Sequence, residues 1–270
     1  FYDGDQIKKL LSRSNGKGNV KGELTVRTKS GERMVCLFSF EQIEIQNNTY
    51  MLAAATNITQ RKQMEENLKH LNNQQKLLAN IAQLLNKSDN FDDIINVVLR
   101  LIGQHTNVSR VCIYENTLDE LFTSNTYEWC NEGIASKKEA IQKASFEEMP
   151  SWKEIINSQG YLSSGNILEL PDDIAVILKH FEIKSVLVYP LYIQNHLWGF
   201  VGFDDCFHNR VWLDDEINLL KTVTGNIANA LERKQYLNQF KNSEMRLRLA
   251  LDGAREGMWD WDLQKDEIYF

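Results

Sequence analysis

Cysteine is scarce and scattered in this chain. Cys36, Cys112, Cys130 and Cys206 form no CxxC pair, which speaks against a zinc or disulfide framework and for reduced, structural thiols, as expected in the cytoplasm. A basic surplus is also missing. Thirty Lys and Arg face 37 Asp and Glu for a net charge of −7, so a nucleic-acid partner is not expected. No apolar run approaches the roughly 20 residues of a membrane span, and no signal peptide opens the chain. His70, His105, His180, His196 and His208 are dispersed without HExxH-like or CxxC-like partners, so no metal site is expected. No GxSxG, P-loop or GxGxxG occurs, and no catalysis is expected of this chain. It opens at Phe1 without Met and stops at Phe270 in a strand-like pattern. A fragment is therefore expected, with any catalytic module outside it.

What is present, 43% hydrophobic and 25% charged residues, is the composition of a folded protein of one to three domains. Helical spacing in Asp5–Leu11 ends at the breaker cluster Ser14–Gly18. Glu23–Thr28 alternates as a half-buried strand, Lys29–Glu32 is a turn, and a strand over Arg33–Ile45 turns at Gln46–Asn48 and returns through Thr56. These make a three-stranded antiparallel meander with one apolar face.

The run Thr56–Glu66, TNITQRKQMEE, marks an exit from that sheet. Asn57 or Thr59 can cap a new helix, and Asn57 with Gln60 has capping-box spacing. Beyond it Met64, Leu68, Leu71, Gln75, Leu78, Ala82 and Leu85 follow a 4-3-4-3 spacing, a heptad seam with one amide. So narrow a stripe implies a partner, either the same helix of a second chain or the helix's own domain.

From about residue 88 to 233 the pattern is mixed α and β. Helices are expected at Phe91–His105, capped by Ser88 or Asp89, at Phe146–Asn157 and at Asp172–His180. Strands are expected at Arg110–Asn116 and Glu120–Trp129. Ser185–Ile193 and His196–Asp204 form two apolar strands about a Gln194-Asn195 turn, the strongest hairpin signal in the chain. Asp214-Asp215-Glu216 begins a long helix with acids in its first turn, reaching towards Asn242. Val223, Ile227, Ala230, Lys234 and Leu237 keep heptad spacing along it. After a helical start at Met245 and Leu249, Met258–Leu263 reads as a strand with one aromatic face, and Gln264–Glu267 turns it back into Ile268–Phe270.

With these segments in view, TNITQRKQMEE resembles the exit motif of PAS domains. Ile58, Thr59, Arg61, Lys62 and Glu65 match it, and Asn57 stands where an Asp is usual. The preceding GELTVRTKSGERMVCLFSFEQIEIQNNTYMLAAAT is similar to the last three strands of that fold, and SEMRLRLALDGAREGMWDWDLQKDEIYF to the opening of another PAS domain. Residues 80–233 resemble a GAF domain of bacterial sensor proteins through FDDIINVVLRLIG, SVLVYPLYIQNHLWGFVGFDD and LDDEINLLKTVTGNIANALER. The resemblance implies an α+β chain: a GAF-like antiparallel sheet flanked by helices, with partial PAS-like antiparallel sheets at both ends joined by long helices. It implies the end of a PAS domain over 1–59, a signalling helix over 60–86, a GAF domain over 87–233, a linker helix over 234–242 and the start of a second PAS domain over 243–270.

The function implied is sensory relay in a bacterial signal-transduction protein. The helices would form a homodimer and pass a ligand- or partner-induced change to an output module in cis, a histidine kinase or a diguanylate cyclase, with the kinase foremost. The alternatives are a regulatory domain of a cyclase or phosphodiesterase that binds a cyclic nucleotide or other small molecule, and a ligand-free dimerisation scaffold. On this reading Asn57, Thr59, Arg61 and Lys62 form the relay junction, and Met64, Leu68, Leu71, Leu78 and Leu85 the dimer seam. Tyr127, Trp129, Trp152, Tyr161 and Phe203 are candidates to line a ligand cavity, against the plainer reading of aromatic core. No cofactor is evident, though an unknown small molecule could occupy the GAF pocket. Asn209-Arg210 with Asp215-Glu216 only faintly echoes a cyclic-nucleotide signature. Cys206 and His208 resemble a bilin attachment pair without the residues that support a tetrapyrrole.

Overall fold

The computed structural model describes residues 20–87, 91–254, 260–262 and 267–269, and side chains over 20–87 and 91–250. The helix expected at Asp5–Leu11, its breaker cluster and the caps Ser88 and Asp89 lie outside the described residues. The chain forms two compact units that meet in sequence between Lys76 and Leu77.

In the first unit β1 (Val20–Arg27), β2 (Arg33–Ile45) and β3 (Asn48–Asn57) make an antiparallel sheet in that order, with Val20 opposite Phe40 and Cys36 opposite Asn57. The β2–β3 turn is two residues long. Gln46 and Asn47 both have positive φ, 48° and 61°, the backbone of a tight hairpin whose twist matches its strands. Val26, Cys36, Phe38 and Phe40 form a small cluster, while β3 is exposed along its whole length.

Helix α1 (Thr59–Lys87) leaves this sheet through bonds made by side chains. The Asn57 carboxamide oxygen accepts from the Thr59 N–H at 2.9 Å and the Thr59 hydroxyl at 2.7 Å. The Thr59 hydroxyl oxygen in turn accepts the Val35 N–H at 2.9 Å, and the Ile58 N–H donates to the Val35 carbonyl at 2.8 Å. Asn57 thus closes a turn onto Thr59, where the spacing had predicted a box with Gln60. Lys62 pairs with Glu23 of β1 at 2.7 Å, and Arg61 with Glu65 one turn along at 2.8 Å.

The second unit is built on a six-stranded antiparallel sheet in the order β6-β5-β4-β9-β8-β7. Its strands are β4 (Arg110–Asn116), β5 (Phe122–Cys130), β6 (Ala144–Ser145), β7 (Leu162–Ser164), β8 (Ser185–Ile193) and β9 (His196–Asp205). Gln194 and Asn195, with φ of 51° and 62°, close the β8–β9 hairpin by the same turn chemistry as β2–β3.

Both faces of this sheet are covered. On one, Val111, Ile113, Leu187, Tyr189, Leu191, Val201 and Phe203 pack with α2 (Phe91–Thr106), the last turns of α1 through Ile81 and Leu85, and α5 (Asp214–Ala254) through Leu220, Val223, Ile227 and Leu231. On the other, Val186, Val188 and Phe200 pack with α3 (Pro150–Gln159), α4 (Asp172–His180) and two 3-10 turns, Phe146–Glu148 and Ile167–Glu169. The helix expected over Phe146–Asn157 is therefore split, because Pro150 lacks the N–H that would continue it and instead opens α3 at its first position.

Helix α5 is one continuous element of 41 residues, so the segments expected as separate pieces at 234–242 and from 243 onwards run together. Strands β10 (Asp260–Asp262) and β11 (Glu267–Tyr269) pair antiparallel, Trp261 opposite Ile268. Among the described residues no helix is long and apolar enough to cross a membrane.

Candidate functional site

A cavity of about 460 Å3 lies between the β4, β5, β6 and β9 strands and the layer of α3, α4 and the 131–143 loop. Its walls are aromatic: Phe200 of β9 meets Trp152 edge-on at 5.8 Å and Phe146 at 6.0 Å. Tyr114, Lys137, Phe181 and Thr123 complete its inner end, and the exposed Val176 and His180 of α4 its outer rim.

The strand register decides which side chains reach it. Between Ile113 and Tyr114 the β4–β5 pairing slips, Ile113 facing Tyr127 but Tyr114 facing Asn125, so Thr126 is an extra residue. Such a bulge reverses the facing of everything beyond it. Tyr127 and Trp129 consequently point to the α2–α5 face, while Thr123 comes round to the cavity.

At the inner end is a buried charge cluster. The Lys137 ammonium, with only 4% of its side chain exposed, pairs with Asp204, and Arg110 approaches the same carboxylate at 3.8 Å. The ammonium also lies 5.9 Å and 5.8 Å from the Tyr114 and Phe181 ring centres, within cation–π range. Burial opposes the Lys137 charge, but the Asp204 carboxylate outweighs it and holds the lysine well above its ordinary pKa. Burial pushes the Tyr114 hydroxyl well up, so it stays protonated. Arg110 is tied by its guanidinium to the carbonyls of Ala135 at 3.1 Å and Phe181 at 3.3 Å. The Trp152 indole N–H is buried and has no acceptor, a state that costs about 1–3 kcal/mol if left so.

Of the five aromatic residues singled out by sequence, only Trp152 lines this cavity. Phe203 is buried in the α2–α5 face, where Tyr127, Trp129 and Tyr161 are partly buried against the same core. Trp129 covers Gly103, whose Cβ would sit 2.0 Å from the indole ring, and Tyr161 stacks on Tyr189 at 5.2 Å. Lys137, Asp204, Tyr114 and Phe200 were not anticipated. Lys137 sits in a loop, where periodicity carries no signal, and Asp204 in an acidic pair that reads as a strand end.

The two motif echoes have structural explanations. Arg210 is engaged by Glu216, by Asp205 at 3.7 Å and by the Thr106 carbonyl at 2.6 Å, and stacks on Trp212 at 4.9 Å. That pins the β9–α5 loop. The Asp205 carboxylate accepts the N–H groups of Phe207 and His208, and the His208 side chain is 78% exposed. Cys206 lines a different, open groove beside Lys184, and burial pushes its thiol up. No cysteine lines the aromatic cavity, and among the described residues no cluster of His, Cys, Asp and Glu could hold a metal ion.

Along α1 the seam residues divide. Met64, Leu68 and Leu71 are exposed, Leu78 is partly buried, and Leu85 lies in the core of the second unit. Where α5 departs from that core, Arg233 donates to the Leu85 carbonyl and to Asn86, and Lys234 pairs with Asp92 of α2 at 2.8 Å. Asp92 also accepts the Tyr127 hydroxyl.

Comparison with known proteins sets this geometry in context. The GAF domain profile matches residues 90–231. The chain is similar to the methanogenesis regulatory histidine kinase FilI of Methanothrix harundinacea, 30% identical over 224 residues, 79% of this chain and 25% of FilI. It is also similar to the circadian input-output histidine kinase CikA of Thermosynechococcus vestitus, 22% identical over 186 residues, 64% of this chain and 25% of CikA. It thus spans about a quarter of each of these curated relatives. In fold it is similar to the phycoerythrobilin-bound GAF domain of a cyanobacterial phytochrome, with a TM-score of 0.53 and 18% identity, covering 61% of this chain and 97% of that one. A biliverdin-bound protein in its far-red absorbing dark state gives 0.51 and 19%, covering 59% and 99%.

These structures correct the expectation that no cofactor is evident, since the shared fold holds bilins in those proteins. The profile match takes in more than half of the sequence, and the chain belongs to the GAF domain family.

Proposed function

We propose that this chain is the sensory and relay region of a histidine-kinase-type signalling protein. Its GAF cavity captures a small molecule, and α1 and α5 carry the change to an output module elsewhere in the protein, where any catalysis resides. The observation that carries this reading is the shared core of the two helices: Ile81 and Leu85 of α1 are buried with Ile227, Ala230 and Leu231 of α5. Anything that shifts the sheet beneath them moves the helix that enters and the helix that leaves together. The likeness to FilI and CikA supports the kinase assignment. On the same reading the flanking strands belong to PAS domains. Binding shifts such a joint only to the extent that the ligand prefers one of its two arrangements.

A bilin is the cofactor that the matched folds suggest. Covalent attachment does not fit this cavity, which has no cysteine in its lining, while burial raises the Cys112 and Cys206 thiols and so disfavours the reactive thiolate. Incubation with biliverdin is expected to leave no coloured band on a denaturing gel; a covalent adduct would overturn this assignment.

The relay reading further requires α1 to pair with α1 of a second copy. Leu68 and Leu71 are exposed, so replacing both with Asp spares the core. Sedimentation is expected to show a dimer for the parent chain and half that mass for the variant. An unchanged mass removes the paired-helix relay.

A further inference from the structure

We propose that strand β5 couples the 131–143 loop, which lines one side of the cavity, to the point where α5 leaves the core. The coupling runs through two adjacent residues, Tyr127 and Glu128. It deepens the relay proposed above and rests on that reading for its purpose, although the coupling itself needs no ligand.

Neighbouring residues of a strand face opposite sides of the sheet. Tyr127 stands opposite Ile113 and lies against the α2–α5 core, so Glu128, opposite Cys112, faces the cavity side. On that side the loop is bound to Glu128. The carboxylate accepts the Ser136 hydroxyl and, at 3.2 Å, the Lys137 N–H. Three more bonds of 2.9 Å lay the loop along β5. The Asn125 N–H donates to the Ile141 carbonyl, the Gln142 carboxamide to the Asn125 carbonyl, and the Lys143 N–H to the Ser124 hydroxyl oxygen. Lys137, Ala140, Ile141 and Gln142 of this loop line the cavity, so a change in what fills the cavity acts on a segment that β5 holds.

On the other side the Tyr127 hydroxyl donates to Asp92, and Asp92 pairs with Lys234 of α5 at 2.8 Å. The Tyr127 oxygen lies 3.4 Å from the Lys234 ammonium and can accept from it. Tyrosine, aspartate and lysine thus close a ring of contacts at the exit of α5.

The strand is compliant at this place. The bulge at Thr126 comes immediately before the pair, and such an extra residue disrupts the ladder locally. Strand β6 pairs only with Phe122 and Thr123, so beside Tyr127 and Glu128 the outer edge of β5 is bordered by the loop and not by a strand. A roll of β5 that follows the loop moves Glu128 one way and Tyr127 the other, and the hydroxyl loses its line to Asp92. Lys137 is also anchored through Asp204, so weakening the bonds to Glu128 slackens the loop without releasing it.

The test is a double-mutant cycle on the whole chain, read by amide exchange at neutral pH. Glu128→Gln slackens the loop, and Tyr127→Phe removes the hydroxyl that reaches Asp92. Residues 217–224, at the start of α5, report any general loss of stability. Glu128→Gln is expected to speed exchange over residues 232–240 by about 2- to 5-fold relative to 217–224, the size of a coupling within one bonded network, and to lose that effect in the Tyr127→Phe background. Coupling is reciprocal, so Tyr127→Phe should speed exchange of the Lys137 N–H by a similar factor. Ser136→Ala, which removes one loop bond at an exposed position, gives the same reading should Glu128→Gln not fold. If the loop variants change 232–240 no more than 217–224, or change it equally in both Tyr127 backgrounds, β5 does not couple the two sites. The shared helix core then remains the path of the relay. If the coupling is found but sedimentation shows no dimer, the coupling stands and the paired-helix relay falls.

Discussion

The two larger sheets of this chain bury themselves in opposite ways. The sheet of β1 to β3 gathers one small cluster about Phe38 and Phe40 and leaves β3 exposed throughout. The sheet of β4 to β9 is covered on both faces, so that Gly199–Asp205 of β9 and Ser185–Tyr189 of β8 are buried without a break. Covering both faces separates two tasks. One face is closed against α1, α2 and α5 and has helices as its outlet. The other carries short helices, a loop and the aromatic cavity. On the function proposed above, a ligand and a relay helix would act on the same strands from opposite sides.

The largest test of that contrast compares two phenylalanines. Phe203 is fully buried in the doubly covered sheet, and Phe203→Ala is expected to cost about 3–5 kcal/mol in thermal or denaturant unfolding. Phe38, 6% exposed in the first sheet, should cost less on conversion to Ala, near the low end of that range at about 3 kcal/mol, since its thin cluster can collapse around the gap. Its effect should be confined to hydrogen exchange in residues 20–57. An equal loss in the main transition would mean that the two sheets unfold as one.

Two glycines sharpen the same comparison. A Cβ on Gly199 would lie 1.9 Å from the Tyr114 carbonyl oxygen across the β4–β9 pair. Gly199→Ala must therefore push these central strands away from each other, at about 2–3 kcal/mol. Gly31 has open space about it but a φ of +89°, so Gly31→Ala should cost only about 1–2 kcal/mol of backbone strain. Melting temperatures of the two variants in the reverse order would show that the central pair yields more easily than its packing implies.

What the sequence made legible was whatever depends on local periodicity and turn chemistry. The β8–β9 hairpin is where Gln194-Asn195 put it, and α4 runs from Asp172 to His180 as expected. The exit from the first sheet also fell at Asn57 and Thr59, although Asn57 bonds to Thr59 and not along the expected box. Facing was harder to read. The alternation of Tyr127 and Trp129 gives no sign of the bulge at Thr126, and that one residue determines which β5 side chains see the cavity. The buried Lys137–Asp204 pair joins a loop to a strand 67 residues later, a separation that no local pattern encodes.

The smallest expected effect concerns the place where α5 leaves the helix-covered face. Lys234 first, and then the Tyr127 hydroxyl, hold the Asp92 carboxyl below its ordinary value. Asp92 is therefore more acidic folded than unfolded, and its contribution is present above the unfolded value of about 3.9 and lost as pH falls through the lower folded one. Its side chain is 55% exposed, so the pair should contribute no more than about 0.2–1 kcal/mol. Lys234→Met should accordingly speed amide exchange over residues 232–240 a few-fold relative to the parent at neutral pH, and the ratio should shrink towards one below about pH 4. A ratio that stays constant into acid would mean that the Lys234 ammonium holds α5 through the face of Phe91, whose ring centre lies 5.1 Å away, a contact that does not titrate with Asp92. The helix-covered face would then be joined to α5 by a cation on an aromatic ring, where the first sheet holds its cluster by apolar contact alone.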